Sequence, residues 1–162
     1  RQLVKNALRM RPDRIILGEI RGDEVIDVLT AMNTGHDGSM ATIHANNPRD
    51  CLARIENLVS MSSVQIEMRS LRKQIASAIQ IIVQIERMRD GKRRVVAIEE
   101  IVGIEGDVIS TQTLFSYKPA RMNANGELEG EFICHGIRPK MIERAEYFGK
   151  EQEVLECFKV SM

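Results

Sequence analysis

The fold is decided by a stretch that runs RIILGEIR over residues 14–21 and, after a helical segment, GHDGSMATIHANN over residues 35–47. Each half contains a short apolar run that ends in polar residues, with Glu19 in the first half and His44 in the second. An apolar run bounded by glycine is typical of a strand that is buried on both faces. Ligands of open α/β sheets bind beyond the carboxyl ends of such strands. The stretch therefore predicts one site, to which two strands deliver Glu19 and His44.

The segment between the two halves is predicted to be a helix. From about residue 22 to residue 34 the apolar residues recur as they do on the buried face of a helix. A strand, a helix and a second strand joined by short connections favour a parallel pair with a right-handed crossover. The same spacing predicts three further helices, which cover residues 2–10, the stretch from residue 48 onward and residues 67–78.

The back of the chain is predicted to be an antiparallel meander, because its apolar period changes from that of a helix to that of a strand. Asp90 and Gly91 form a strong hairpin signal, and the basic residues around them, 87–94, are interpreted as a solvated turn. Strands are expected over residues 81–86, 95–104, 108–117 and 131–134, and a last helix is expected to begin at Pro139. The predicted fold class is α/β: parallel strands with helices, followed by an antiparallel meander and a C-terminal helix.

Composition limits the kinds of partner and compartment. The 162 residues carry 23 basic and 23 acidic side chains, so the formal net charge is +0, and aromatic residues make up only 4%. A nucleic-acid platform needs a basic surface and stacking rings, which this composition does not favour. No apolar stretch reaches the roughly 20 residues that a membrane span requires. The three cysteines are dispersed, which indicates reduced thiols in a cytosolic protein rather than a disulfide framework or a zinc site.

A carboxylate that follows a buried strand, next to a glycine, has the geometry of a Walker B element. There the carboxylate holds Mg²⁺, usually through water, and the metal neutralises charge on the β- and γ-phosphates. Taken alone, Gly18 and Glu19 are weak evidence, and a solvated glutamate at a strand end is the commoner alternative. His44 alone is weaker still, because a histidine at a strand end is most often a satisfied polar group.

The longer motifs are more specific. The run MRPDRIILGEIRG at residues 10–22 resembles the Walker B segment of the secretion ATPase superfamily, the hexameric motors of type II secretion, type IV pili and type IV secretion. The run TGHDGSMATIHAN at residues 34–46 resembles the histidine box of the same superfamily. The sequence MNTGHDGS at residues 32–39, followed by PRD at residues 48–50, is most similar to that of the tight-adherence (Flp-type) pilus assembly ATPases.

This resemblance implies a RecA-like P-loop NTPase fold and a motor function. Residues 1–118 would form the C-terminal part of the ATPase domain, and residues 119–162 would form a C-terminal extension. The implied protein hydrolyses ATP with Mg²⁺ to power pilus assembly or protein secretion. It is expected to be a cytoplasmic homo-hexamer, peripheral to the bacterial inner membrane, that acts on a membrane platform protein and binds no nucleic acid. Two alternatives stay open: a DNA-translocating motor of a conjugation system, and a non-catalytic assembly module.

The resemblance also implies roles for five residues. Glu19 matches the Walker B glutamate, which supports Mg²⁺ and the attacking water. His44 matches the second histidine of the histidine box, which reaches the γ-phosphate. Gly18, Arg21 and His36 are placed on the nucleotide side of the site. For Arg21 a pairing with Glu19 or an acidic neighbour is favoured over a direct phosphate contact, and for His36 a structural role is favoured over a catalytic one.

One departure from the family pattern is large. The sequence contains no Gly-x-x-x-x-Gly-Lys-[Ser/Thr] loop, whose backbone N–H groups and lysine cradle the phosphates. The chain begins with Arg1 in a helical pattern, which favours the back part of a longer protein whose Walker A loop, acidic box and arginine fingers lie upstream. These 162 residues alone are therefore expected to bind ATP poorly or not at all.

Overall fold

The computed structural model describes residues 2–158, in which six helices and six strands are found. In chain order they are α1 Gln2–Arg9, β1 Ile16–Leu17, α2 Glu24–Met32, β2 Met40–Ala41, α3 Pro48–Ser60, α4 Met68–Ala78, β3 Ile81–Arg87, β4 Arg93–Glu105, β5 Val108–Met122, β6 Leu128–Cys134, α5 Ile142–Tyr147 and α6 Glu151–Cys157. The chain forms two compact units. The first holds the residues up to Ile79 with Gly103–Ile109, and the second holds Gln80–Val102 with the chain from Ser110 onward.

The first unit is built around α2, which contacts α1, α3 and α4. Its core side chains include Val25 and Leu29 from α2, Ile55 from α3 and Ile75 from α4, all almost completely buried. These residues lie on the apolar faces that helical spacing predicts. The predicted N-terminus of α3 is confirmed, because the Asn47 side chain accepts a hydrogen bond from the backbone N–H of Asp50 at 2.9 Å.

The predicted parallel pair is confirmed, although its strands are short. Ile16 of β1 pairs with Met40 of β2, and α2 connects the two strands. The prediction that the first strand is buried on both faces is wrong, because Ile16 is 73% exposed, and Met40 opposite it in β2 is also 58% exposed. The reason is that β1 and β2 form a sheet of two strands whose outer face no other element of residues 2–158 covers.

The second unit contains the predicted meander, a sheet in the order β3-β4-β5-β6. β3 pairs with β4 and β5 pairs with β6, both antiparallel. β4 and β5 are joined by a turn at Gly106 and Asp107, and a connection this short joins antiparallel strands. Mixed parallel and antiparallel sheets with helices are consistent with the predicted α/β class.

The basic residues of the turn between β3 and β4 are exposed, as the sequence predicts, except Arg94, which is half-buried. The Asp90 side chain is 1% exposed and forms a two-pronged ion pair with Arg94, at 2.8 and 2.6 Å. The backbone N–H of Leu128 also donates to Asp90, at 3.0 Å. The Arg94 guanidinium and the backbone N–H groups of Leu128 and Lys92 hold the pKa of Asp90 well below its usual range. A charged turn residue therefore ties the first hairpin to the second.

The C-terminal segment contains two short helices, α5 and α6, where one was predicted. Gly149 separates them with a φ of 66°, a left-handed conformation that favours glycine and ends a helix. Just before α5, the backbone N–H groups of Lys140 and Met141 each donate to the buried carboxylate of Glu100, at 2.8 Å. Gln112 donates to the same carboxylate at 2.6 Å.

The sequence also led to expectations about a domain boundary at residue 118 and about membrane-spanning segments. β5 passes through residue 118 and pairs with β6, so the domain boundary expected there lies within a strand, and the division at that point stays a prediction. No helix among residues 2–158 has both the length and the apolar character to cross a membrane.

Replacing Glu100 with alanine is expected to lower the free energy of unfolding by about 3 kcal/mol, because three donors lose a buried acceptor. Urea denaturation followed by circular dichroism measures this change. Glu99→Ala is the matched control, because Glu99 is half-buried and accepts one hydrogen bond, from Thr113 at 2.7 Å. Equal losses in the two variants would contradict a special role for Glu100.

Candidate functional site

Glu19 and His44 lie next to each other, one after each strand of the parallel pair. Oε1 of Glu19 is 3.3 Å from Nε2 of His44. The pairing continues past the strands, because Ile20 N–H donates to the Thr42 carbonyl at 2.8 Å. Parallel strands end at the same edge of a sheet, so residues that are distant in sequence meet there. The structure thus brings together the two side chains that the sequence assigned to one site, and their catalytic roles stay a prediction.

Arg21 completes a group of three side chains. Its Nη2 is 2.5 Å from Oε2 of Glu19, so the carboxylate has Arg21 on one oxygen and His44 on the other. The hydrogen bond from Arg21, followed by the positive charges of Arg21, His44 and Arg54, lowers the pKa of Glu19 against the opposing effect of burial. The same bond raises the pKa of Arg21. Glu19 is therefore an ionised carboxylate at neutral pH.

The backbone around Arg21 is fixed by Glu24, a residue that the sequence reasoning did not assign to the site. Oε1 of Glu24 accepts hydrogen bonds from the backbone N–H groups of Arg21, at 2.6 Å, and Gly22, at 3.0 Å. Burial works to raise the pKa of Glu24, but the backbone donors outweigh it and the pKa is lowered. An acidic residue in the first turn of α2 is the sequence signal that could have identified this contact.

Gly18 lies beside open space. A Cβ at this position would meet no heavy atom within 4 Å, so nothing in the described chain requires a glycine here. The Gly18 carbonyl accepts a hydrogen bond from the Thr42 hydroxyl, which links the end of β1 to the residue after β2. The space next to the backbone is thus available to a ligand, and the binding role of Gly18 stays a prediction.

His36 lies apart from this group of side chains. Its Nδ1 is 3.2 Å from the Ala31 carbonyl, and its own carbonyl accepts a hydrogen bond from the Ser39 hydroxyl at 2.7 Å. Ser39 in turn accepts a hydrogen bond from the Ile15 N–H at 2.9 Å. These contacts connect the end of α2 to the start of β1. The structure therefore gives His36 contacts that shape the loop, while its cofactor-binding role stays a prediction.

Arg54 is a second contributor that the sequence did not single out for this site. It is an exposed residue of α3, and its charge lowers the pKa of Glu19. Charged residues on an exposed helix face are common, so the sequence alone offers no signal that separates Arg54 from its neighbours.

The side chains of Glu19, Arg21 and His44 suit Mg²⁺ bound together with a phosphate better than they suit a metal ion alone. Among residues 2–158, no group of three or more His, Cys, Asp or Glu side chains could hold a metal ion by itself. Mg²⁺ needs fewer protein ligands, because it keeps several waters and takes one or two carboxylates with substrate phosphates. Glu19 fits that role. The guanidinium of Arg21 and the imidazole of His44 fit phosphate oxygens, to which both can donate.

Replacing Arg21 with glutamine is expected to raise the pKa of Glu19 toward the ordinary glutamate value of about 4.3, because the largest stabilisation of the carboxylate is lost. His44→Ala is expected to raise the pKa by less. An NMR titration of the Glu19 carboxyl resonance measures both shifts. Arg9→Gln, at the end of α1, serves as a control that leaves the pKa of Glu19 in place, and an unchanged pKa in Arg21→Gln would contradict the assignment.

One family model and several curated proteins match this chain. The family model for Type II/IV secretion system protein matches residues 1–126. A protein of Mycobacterium tuberculosis whose name assigns it to conjugal transfer is 47% identical over 108 residues, which are 67% of this chain and 30% of that protein. Conjugal transfer protein TrbB of Rhizobium radiobacter is 40% identical over 105 residues, which are 65% of this chain and 30% of the relative.

Protein VirB11 of Agrobacterium fabrum is 42% identical over 83 residues, which are 50% of this chain and 24% of the relative. The chain thus spans less than a third of the length of these curated relatives. The family model covers more than half of the chain, including the parallel pair with Glu19 and His44 and the first hairpin of the second unit. The chain therefore belongs to the type II/IV secretion system protein family.

Proposed function

We propose that this chain carries the carboxylate and imidazole side of the nucleotide site of an ATPase. The observation that carries the proposal is the meeting of Glu19 and His44, 3.3 Å apart, at the ends of two parallel strands. ATP, when bound with Mg²⁺, would supply the phosphoryl group and the metal charge that phosphoryl transfer needs. Membership of a secretion system family supports the same class of activity.

The three side chains of the site have distinct roles in this proposal. Glu19 stays ionised and would hold Mg²⁺ through water and orient the attacking water when the metal and ATP are bound. His44 donates a hydrogen bond to a γ-phosphate oxygen, where a preorganised donor stabilises developing charge. Arg21, which is 76% exposed, holds Glu19 ionised and positions it. The cofactor-binding assignments of Gly18 and His36 belong to the same proposal, with Gly18 beside the open space and His36 in the loop.

We further propose that the ATPase has a RecA-like fold, works as a homo-hexamer and lies in the cytoplasm against the bacterial inner membrane. Movement of subunit domains, biased by the γ-phosphate that His44 contacts, would act on a platform protein in the membrane. The motif MNTGHDGS at residues 32–39 favours pilus assembly of the tight-adherence type as the process served.

A conjugation system is the second candidate, because two of the relatives carry conjugal transfer in their names. A motor that moves DNA itself would need a basic surface, and the formal net charge of this chain is +0. Secretion or pilus assembly is therefore the first choice, and a conjugation motor that translocates DNA is the alternative.

In the full-length protein, Glu19→Gln is expected to lower the rate of ATP hydrolysis by about 10²- to 10⁴-fold while nucleotide still binds, because an amide cannot support the metal shell and the water as a carboxylate does. His44→Ala is expected to lower kcat by about 10²-fold. Steady-state phosphate release measures both changes.

The matched controls are Glu105→Gln and His135→Ala. Both residues are exposed and belong to none of the contacts of the site, so hydrolysis is expected to be unchanged in these variants. Unchanged hydrolysis in Glu19→Gln would instead favour the non-catalytic assembly module.

The DNA-translocating alternative is tested by the salt dependence of DNA binding. A translocase releases counterions when it binds, so its affinity falls steeply as salt concentration rises. The pilus or secretion motor is expected to show no binding to a fluorescent duplex between low and physiological salt. Salt-dependent binding of the full-length protein would move the assignment to the conjugation motor.

A further inference from the structure

Glu19 and Arg21 meet because the chain after β1 stays paired with the chain after β2. Ile20 lies between them, is 6% exposed and donates its backbone N–H to the Thr42 carbonyl at 2.8 Å. Side chains of an extended chain alternate between its two faces. Because Ile20 is in the core, its two neighbours lie together on the outer face, where Nη2 of Arg21 is 2.5 Å from Oε2 of Glu19.

A single carboxylate oxygen fixes the backbone that follows. Oε1 of Glu24 accepts hydrogen bonds from the N–H groups of Arg21, at 2.6 Å, and Gly22, at 3.0 Å. Hydrogen bonds to an ionised carboxylate are stronger than those between neutral groups. The segment that carries Glu19 and Arg21 is thus held at its start by the residues after β2 and at its end by Glu24.

Gly22 leaves the space that this carboxylate needs. A Cβ at position 22 would lie 3.2 Å from Oε2 of Glu24, which is closer than favourable van der Waals contact. A side chain at this position would therefore force the carboxylate to shift. Gly18 differs in this respect, because a Cβ there would meet nothing within 4 Å. The structure thus gives a reason for the glycine at position 22.

The position of Glu24 in the first turn of α2 is also typical of an ordinary residue at a helix start. Acidic residues there stabilise a helix by binding its unpaired N–H groups or by interacting with its dipole. The two N–H groups that Oε1 of Glu24 binds belong instead to residues 21 and 22, which precede the helix. Asp23, the N-cap residue, makes no side-chain cap hydrogen bond. The contacts of Glu24 therefore serve the segment that leads into α2.

The contact between Arg21 and Glu19 depends on this support because burial does not supply it. The side chain of Arg21 is 76% exposed and that of Glu19 is 22% exposed. An exposed ion pair gains little energy, and it must hold long side chains in one geometry. A fixed backbone removes part of that cost, because the base of the arginine side chain already lies on the face that carries Glu19.

We propose that Glu24 is a positioning residue for the reaction assigned to the Glu19 site. Its carboxylate fixes the backbone of Arg21 and Gly22, and the fixed backbone keeps the Arg21 guanidinium on Glu19. This role rests on the proposed ATPase function, in which Glu19 orients the attacking water. A misplacement of about 1 Å in a catalytic group lowers a rate by about 10²-fold, so a residue that supports the group from behind affects turnover.

Three substitutions at Glu24 separate its oxygen acceptor from its charge. Glu24→Gln removes the charge but keeps an oxygen at the position of Oε1, so both hydrogen bonds are retained. Glu24→Asp keeps the charge at the start of α2 but draws the carboxylate back by about 1.5 Å, away from the backbone of Arg21. Glu24→Ala removes both the charge and the acceptor. Glu24→Gln is expected to behave as the unsubstituted protein, and Glu24→Asp is expected to behave as Glu24→Ala.

Backbone hydrogen exchange in the full-length protein, measured without nucleotide by mass spectrometry at residue resolution, tests the contact itself. Exchange at Arg21 and Gly22 is expected to be about tenfold faster in Glu24→Asp and Glu24→Ala and unchanged in Glu24→Gln. Exchange within α2, at residues 28–32, is expected to be unchanged in all three variants. Faster exchange throughout α2 would show that Glu24 only stabilises the helix and would overturn the proposal.

Steady-state ATP hydrolysis by the same variants tests the effect on the reaction. Glu24→Asp is expected to lower kcat by about tenfold and to change the KM for ATP by less than about twofold, because the support acts on the reacting group rather than on binding. Glu24→Gln is expected to keep kcat within about twofold of the unsubstituted protein. In an Arg21→Gln background, Glu24→Asp is expected to lower kcat little further, because its effect passes through Arg21.

Ser62→Ala is the matched control for a general loss of stability. The Ser62 hydroxyl donates to the Val59 carbonyl at 2.7 Å and accepts from the Val64 N–H at 3.2 Å, so its removal also costs the first unit hydrogen bonds to the backbone. Val59 and Val64 lie outside the site. Both kcat and the exchange at residues 21 and 22 are expected to match those of the unsubstituted protein.

Equal exchange at Arg21 in all variants would overturn the proposal, and so would equal kcat values in Glu24→Gln and Glu24→Asp. Faster exchange in Glu24→Asp with an unchanged kcat would leave the ATPase in place and overturn only the positioning role. Failure of the unsubstituted full-length protein to hydrolyse ATP would overturn the proposed function, and the role of Glu24 with it. The two failures are therefore distinguishable.

Discussion

The parallel pairing of β1 with β2 is the constraint on which the candidate site depends. The strands are two residues long, but backbone hydrogen bonds extend the pairing, since Met40 N–H donates to the Ile15 carbonyl at 2.9 Å and Ile20 N–H donates to the Thr42 carbonyl at 2.8 Å. Side chains alternate between the faces of a strand, so a register slip of one residue turns a neighbouring side chain to the opposite face. The meeting of Glu19 with His44 therefore requires this register, which α2 and its packing against three helices hold in place.

The side chains of the site contact one another, but burial does not fix Arg21 and His44 in place. Glu19 is 22% exposed, whereas the side chains of Arg21 and His44, which contact its two oxygens, are 76% and 81% exposed. Contacts between exposed charged groups are weak, because water competes for the same atoms. A phosphate that enters the site can therefore take over the guanidinium and imidazole donors at little cost. In the proposed function, such an arrangement would keep Glu19 ionised before nucleotide binds and would leave the Arg21 and His44 side chains free to turn toward it.

The sequence predicted the elements whose formation is local. Helical spacing located α2, α3 and α4 to within a few residues, and the pair Asp90-Gly91 located the first hairpin. Exposure was harder to predict, because the apolar run around Ile16 does not reveal whether another layer covers the strand. Long-range polar contacts were not predictable at all. The hydrogen bond from Leu128 to Asp90 joins residues 38 positions apart, and no spacing rule relates them.

The same limit explains which parts of the site were found and which were missed. Glu19 and His44 are recognisable because each follows an apolar strand in a long motif. Glu24 and Arg54 act on the site from helices, where a charged residue near a surface usually has no special role. Their contributions become visible only when the fold brings the N-terminus of α2 and one face of α3 next to the end of β1. Sequence motifs therefore identify the site residues that follow strands, whereas the three-dimensional structure is needed to identify the site residues that lie on helices.

The buried acidic groups of the second unit are each satisfied by several partners. Glu100 is 1% exposed and accepts three hydrogen bonds, and Asp90 is matched by Arg94. The cost of burying a charge is high, so these groups must be satisfied for the unit to fold. Arg87 lies directly opposite Arg93 across the β3–β4 pair, and Arg87 Nε donates a hydrogen bond to the Gly91 carbonyl at 3.2 Å. Like charges directly opposite each other destabilise a sheet, so the buried, satisfied groups stabilise this hairpin rather than the exposed arginine pair.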